Sequence, residues 1–377
     1  MLLTSFRLLR PRYEASQDRI LEWLADVHTR AEVTAQAGSE VDAAAFHARM
    51  KRLIRHVCCG SDRIASRGYS VADPENSQHA ESALYDVSRA KGGAGTSARN
   101  DLYAAEVNAA FERLYEGQPA PPSDLVHVTC TGYVSPSGAQ RLVARRGWGD
   151  RTRVTHAYHM GCYASVPALR IALGLASTSQ EPRVDVVHTE LCSLHFNPAV
   201  HTPEELVVQS LFADGSARYT VCAEAGDERA LRVLAVHEII VGGTEDAMAW
   251  RLGDQGMRMT LSREIPERLG RAIAPFVREL CARAGLDFGT ERARCVFAVH
   301  PGGPRIVDVV RDALELEDRQ VAASRDVLRR FGNMSSVTLP YIWNDLLASA
   351  ELPVGTLVVS VAFGPGLTFA GAILRKE

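Results

Sequence analysis

Between residues 16 and 33 apolar side chains fall at Ile20, Leu21, Leu24 and Val27, the three-and-four spacing of one helical face, behind Ser16 or Asp18 as a cap. The same reasoning predicts helices over about 41–57 and 101–117, with QPAPPS as the stop after the second. From residue 124 onward the pattern changes to short runs rich in Val and Ile alternating with amphipathic stretches. Strands are predicted at 124–138 (running into a turn), 153–158, 184–191, 218–223 and 232–241, with helices at 163–176 and 203–211 between them. A second round follows: helix 265–285, strand 293–300, helices 304–314, 320–330 and 336–350, and strands 355–364 and 367–375. Such alternation implies an α/β protein whose sheet is covered on both faces.

Composition narrows the function classes. The chain has 377 residues, 46% hydrophobic and 23% charged, with a net charge of −3. That size allows a large core in two domains or two halves of one. The near-neutral balance offers neither nucleic acid nor an anionic membrane a basic surface. The longest apolar run, Leu352 to Ala362, is interrupted by Pro and Gly and is too short to span a bilayer. Arginines at 7, 10 and 12 argue against a signal peptide, so the expected compartment is the cytoplasm. Eight cysteines lie scattered without a CxxC pair, which suits buried thiols rather than a metal site. The stretch KGGAGTSAR (91–99) is glycine-rich but lacks the strand before it and the Lys-Ser/Thr ending of a phosphate cradle, so it reads as a loop.

Three stretches carry candidate chemistry. In HMGCYASVPALRIA, Cys162 stands where a strand hands over to a helix. The positive end of the helix dipole there lowers a thiol pKa and favours the nucleophilic thiolate, although packing alone also explains such a cysteine. In VFAVHPGGPRIVDVV, His300 ends an apolar strand, where α/β proteins build sites; it suits a base or an oxyanion donor, or a satisfied structural role. In RRFGNMSSVTLP, Asn333 follows a glycine, and its amide either donates to an oxyanion or caps the next helix.

Taken together, GCYASVPALRIA, HPGGPRIVDVV, FGNMSS and AFGPGLT resemble, in order and spacing, the signatures of the chalcone-synthase-like type III polyketide synthases. CTGYVSPS, VVHTELCSLHF and LFADGSA extend the likeness, which is good from about residue 120 and loose before residue 110. The resemblance implies a thiolase-like αβαβα layered fold of two similar halves, 1–225 and 226–377, working as a homodimer. It implies that Cys162 accepts the acyl chain, that His300 and Asn333 form the oxyanion site, and that Claisen condensation proceeds without a metal or a permanently bound cofactor. Substrates would arrive on phosphopantetheine, from coenzyme A or an acyl carrier protein.

The likeness also marks a remodelled pocket. Phe212 matches a gating aromatic, and Met259 stands for the second one. Trp250 falls on the cavity wall, Cys192 and His195 where other members line the cavity with threonines, and Ser135 where the partner subunit inserts a residue. Gly364 and Pro365 match the loop at the back of the cavity, and Ser335 joins the substrate-binding set. At the entrance, Lys51, Arg52, Arg55 and Arg63 remain as phosphate contacts, while a second expected lysine is missing near Cys59 and Gly60. The implied product is a pyrone or resorcinol. The alternative is a ketosynthase that joins two carrier-bound β-ketoacyl chains into an α-pyrone without decarboxylation, in antibiotic biosynthesis.

Overall fold

The computed structural model describes residues 1–36, 41–74, 84–88, 90, 92–118, 120–180 and 182–377. In chain order the elements are β1 (Leu2–Leu9), β2 (Tyr13–Ser16), α1 (Gln17–Ala35), α2 (Ala43–Val57), β3 (Ser66–Tyr69), α3 (Thr96–Leu114), β4 (Asp124–Thr129) and α4 (Gly138–Arg145). Next come β5 (Arg153–Tyr158), α5 (Ser165–Ala176), β6 (Arg183–Leu191), α6 (Pro203–Leu211), β7 (Asp214–Cys222), β8 (Leu231–Ile240), β9 (Met248–Gly253) and β10 (Gly256–Leu261). The chain ends with α7 (Ile265–Arg283), α8 (Phe288–Glu291), β11 (Val296–Val299), α9 (Pro304–Ala313), α10 (Ala322–Phe331), α11 (Thr338–Ala348), β12 (Leu357–Gly364) and β13 (Thr368–Lys376).

Nine strands form one sheet in the order β11-β12-β13-β8-β1-β7-β6-β4-β5. Read outward from the β1–β8 junction, the two sides mirror one another. β1, β7 and β6 run antiparallel and β6 pairs parallel with β4, just as β8, β13 and β12 run antiparallel and β12 pairs parallel with β11. The junction itself is antiparallel, with Leu2 opposite Arg232 and Leu3 opposite Leu231. β5 extends only the first half.

Side-chain alternation separates the layers. In β4, Val126 and Val128 enter a core shared by both half-sheets, while Leu125 packs in a cluster with α1 to α4. In β12, Val358 and Ala362 enter the shared core, while Val359 and Val361 join α7 and α9. α5 and α11 lie in the middle; their sequences SVPALRIALGLA and TLPYIWNDLLA are apolar almost all round, as a helix buried between two sheets requires. The result is the expected αβαβα layering.

Several elements differ from the expected ones. The first residues form β1, a strand whose pairing partners β7 and β8 lie more than two hundred residues away, so no local pattern announces it. The strand expected at 293–300 is only β11, because short helical turns occupy 288–294. The one at 218–223 begins four residues earlier, at Asp214. The hairpin β9–β10 and helix α4 are further elements beyond those expected. The glycine-rich stretch is a loop leading into α3, and its Lys91 lies outside the described residues. Thr96 there bonds the hairpin turn, donating to the Gly253 carbonyl and accepting from Gly256 N–H.

Trp343 of α11 ties the two halves together. It is fully buried, its indole N–H donates to Ser360 Oγ of β12 at 2.8 Å, and its ring meets Tyr219 of β7 edge-on at 5.8 Å. Replacing Trp343 by Ala should cost about 3–5 kcal/mol of stability, measured by denaturant unfolding of the whole chain; a change within about 1 kcal/mol would show that the middle layer tolerates the void.

Candidate active site

Cys162 lies in the turn between β5 and α5. Gly161 before it takes φ +82°, and a Cβ there would come within 2.6 Å of Pro365 Cδ, so the β12–β13 loop closes over the turn. Gly364 is packed as tightly: a Cβ would approach Tyr163 Cδ1 to 2.2 Å. These glycines permit close approach of backbone and ring. Gly364 and Pro365 therefore support the cysteine turn itself, and neither lines the cleft described below.

Asn333 is held on its backbone by the segment around Phe212, between α6 and β7: its N–H donates to the Leu211 carbonyl and its carbonyl accepts from Ala213 N–H, both at 2.9 Å. Its amide does two jobs. Oδ1 accepts from Ser335 N–H at 2.9 Å, the capping role, while Nδ2 donates to the Gly302 carbonyl at a long 3.4 Å. Two residues before Gly302 is His300, buried to 1% exposure at the end of β11, with both ring nitrogens lacking any partner among the described residues.

Electrostatics favours neutral forms. Burial pushes the Cys162 thiol up to about 12, with Glu190 adding to the rise; the Ser335 hydroxyl and the Asn333 amide oppose it. Burial lowers His300 to about 3. This direction is opposite to the one expected from a helix start: α5 begins only at Ser165, and burial is the largest influence on the thiol.

A cleft of about 270 Å³, its mouth included, is lined by Cys192, His195, Glu205, Phe212, Trp250 and Met259 among others. The hairpin builds one wall, since Met259 and Trp250 are direct cross-strand partners. His195 anchors it: Nδ1 accepts from Met257 N–H at 3.1 Å, so Nε2 carries the proton and donates to the Thr131 carbonyl at 2.8 Å. Trp250 Nε1–H donates to the Cys130 carbonyl at 2.7 Å. Cys162 does not line this cleft; Cys192, Val208 and Phe212, which do, belong to its buried cluster.

Comparison with known proteins follows the same outline. Sequence profiles of the chalcone and stilbene synthases, N-terminal and C-terminal domains, match residues 88–225 and 232–376. The chain belongs to that family. It is therefore a transferase of the type III polyketide synthase class. Type III polyketide synthase A of Arabidopsis thaliana is 31% identical over 269 residues, 68% of this chain and 67% of that protein. Probable polyketide synthase 1 of Dictyostelium discoideum is 34% identical over 256 residues, 67% of this chain but 8% of that much longer protein. Among solved structures, the C-terminal type III polyketide synthase domain of Steely1, a type I/III hybrid from Dictyostelium, superposes with TM-score 0.80 at 26% identity, covering 100% of this chain and 99% of that one. The 1,3,6,8-tetrahydroxynaphthalene synthase of Streptomyces coelicolor A3(2) shares the fold, with TM-score 0.81 at 20% identity over 100% of this chain and 99% of that one.

In this synthase the residues expected at the entrance separate. Lys51 of α2 is paired with Glu22 of α1 at 2.6 Å and Arg63 with Asp62 at 3.3 Å, whereas Arg52 and Arg55 are exposed and pair with no described residue. Ser135 is exposed in the loop after β4. No helix among the described residues is long and apolar enough to cross a membrane.

Sequence reasoning passed over a buried polar cluster beside Cys162. The Glu190 carboxyl accepts from Cys130 N–H at 3.0 Å, Ser336 Oγ at 2.6 Å and Thr131 Oγ1 at 3.2 Å, and its pKa is raised by burial. Ser335 Oγ, at φ +50°, lies 3.4 Å from Cys130 Sγ. The signal was present, for an acid inside the apolar run VDVVHTEL is costly unless it is hydrogen-bonded.

The neutral thiol gives a direct test. Alkylation of Cys162, read by peptide mapping, should rise about tenfold per pH unit from about pH 7 to pH 10, because only the thiolate reacts. A rate already level near neutrality would reveal a standing thiolate–imidazolium pair instead.

Proposed function

We propose that this enzyme joins acyl groups by Claisen condensation, with Cys162 as the acyl acceptor and His300 and Asn333 as the groups that move the proton and hold the oxyanion. The observation carrying this reading is His300, a buried ring with two unsatisfied nitrogens close in sequence to the carbonyl that takes the Asn333 amide. Buried polar atoms are normally paired, so such a ring is suited to a partner that arrives with the substrate.

The steps follow from the groups. His300, neutral at rest, takes the Cys162 proton as the sulfur attacks the incoming thioester carbonyl. The tetrahedral oxyanion accepts hydrogen bonds from the Asn333 amide and the imidazolium, then collapses and expels the donor thiolate, which leaves with the proton from His300. A second thioester supplies the carbon nucleophile. If it is a malonyl-type unit, loss of CO2 leaves an enolate whose oxygen the same donors stabilise. The enolate carbon attacks the Cys162-bound carbonyl, a C–C bond forms, and the C–S bond breaks to return the thiolate, which is reprotonated. If the second unit is a β-ketoacyl thioester, its acidic C2 proton is removed instead. Cyclisation of the released chain gives a pyrone or resorcinol.

In this reading the two halves, 1–225 and 226–377, each contribute to one site, and in a homodimer Ser135 stands at the position that one subunit pushes into the site of the other. The donors are thioesters of phosphopantetheine, whose phosphates meet the unpaired Arg52 and Arg55 on the face of α2. With Lys51 taken by Glu22, two arginines suit the acidic surface of a carrier protein as well as coenzyme A.

Intact-mass measurement after incubation with acyl-coenzyme A, and separately with acyl carrier protein, tests the assignment. Wild type should gain one acyl mass and Cys162→Ala none, and Asn333→Ala should condense roughly 10²- to 10³-fold more slowly. No acyl mass on wild type from either donor would refute the role of Cys162; acylation from one donor alone identifies the route of delivery.

A further inference from the structure

Glu205 is the one carboxyl group among the described residues lining the cleft, and it is 5% exposed. It sits in the first turn of α6, where its N–H faces the capping Thr202 Oγ1. Its Oε1 accepts from Gln209 Nε2 at 3.0 Å, and the direction of that bond is set from a distance. The second Nε2–H of Gln209 goes to the Asn197 carbonyl at 3.1 Å, which can only accept. Gln209 Oε1 must therefore face His28 Nε2 at 2.8 Å and receive its proton, which makes His28 Nδ1 the acceptor from His201 Nδ1–H at 2.9 Å. His201 Nε2 in turn lies 3.2 Å from Glu32 Oε2. Fully buried His28 and Gln209 thus hold one oxygen of Glu205 as an acceptor. The other, Oε2, has no hydrogen-bond partner among the described residues, in a cleft whose lining is largely apolar (Val208, Phe212, Trp250, Met257 and Met259) and also includes Cys192, His195 and Gln209.

We propose that Glu205 determines specificity in this cleft, its Oε2 donating a hydrogen bond to a keto oxygen of the acyl chain and so selecting 3-oxoacyl chains over plain alkyl chains. The proposal rests on the reading of Cys162 as the acyl acceptor. A Claisen condensation leaves a keto oxygen at C3, so the growing chain carries the group that Glu205 would meet. A ketone only accepts, so the carboxyl must keep its proton. Burial raises its pKa in that direction, with Glu204 adding and Arg258 opposing. A site built to bond a substrate oxygen rejects the analogue that lacks it, because the buried group is then left unpaired.

The test compares acylation of Cys162 by 3-oxooctanoyl- and octanoyl-coenzyme A, followed by intact mass under single-turnover conditions, in wild type, Glu205→Gln and Glu205→Leu. We expect Glu205→Leu to reduce the oxo-to-alkyl rate ratio at least tenfold, and Glu205→Gln, whose amide still donates, to stay within about threefold of wild type. Equal changes on both substrates, or an unchanged ratio in Glu205→Leu, would overturn the proposal while leaving Cys162 as acceptor. Absence of acylation in wild type by both chains, whether carried by coenzyme A or by acyl carrier protein, would overturn both. If Glu205→Leu does not fold, Glu205→Ala on the same pair decides by the same ratio.

Discussion

The antiparallel seam between β1 and β8 is the constraint from which the rest follows. By joining two half-sheets of matching topology, it encloses α5 and α11 in one core and lets loops from both halves meet. Cys162 leaves β5 in the first half, His300 leaves β11 in the second, and Asn333 comes from the segment between α10 and α11. Neither half alone holds all three.

Bringing those groups together inside a core raises the problem of desolvation, and the surrounding polar groups show how it is met. Arg67 is fully buried, yet it donates to Gln17 Oε1 and to the carbonyls of Gln209 and Phe212, so its charge fastens the end of α6 to α1. Asp214, pushed up to about 6 by burial, accepts from Ser70 N–H and from both the N–H and hydroxyl of Ser193. Glu190 is satisfied in the same manner. Among the buried, described histidines, His300 alone has neither ring nitrogen paired, which is why it carries the functional reading.

The cleft shows the same economy with a different outcome. The hairpin β9–β10 brings Trp250 and Met259 over the mouth, and the tip is held to His195 so closely that a Cβ at Gly256 would come within 2.8 Å of its Nδ1. A thioether facing a flat ring at this wall leaves shape adjustable, while Glu205 is fixed by a chain of hydrogen bonds reaching back to Glu32. Largely apolar walls with a few fixed polar groups are the usual make-up of a ligand pocket, the walls giving shape and the polar groups orientation.

Much of this was legible in the sequence. The alternating Val-rich and amphipathic segments determined the α/β class, and the glycine-flanked Cys162, His300 and Asn333 stood out together because their motifs occur in order. The sequence also placed Phe212, Met259, Trp250, Cys192 and His195 in one pocket, and they line one cleft. Only the tertiary structure decided the rest. β1 is a strand because β7 and β8 flank it, and no local pattern encodes partners so remote. The thiol is neutral because the folded core dries it, overriding the helix start that the local sequence displays. Glu205 looked like an ordinary acid in the first turn of a helix; its place in the cleft and its fixed hydrogen bond depend on His28 and His201, which are near it only once the chain has folded. Local periodicity is written residue by residue, whereas desolvation and hydrogen-bond direction belong to the assembled surroundings.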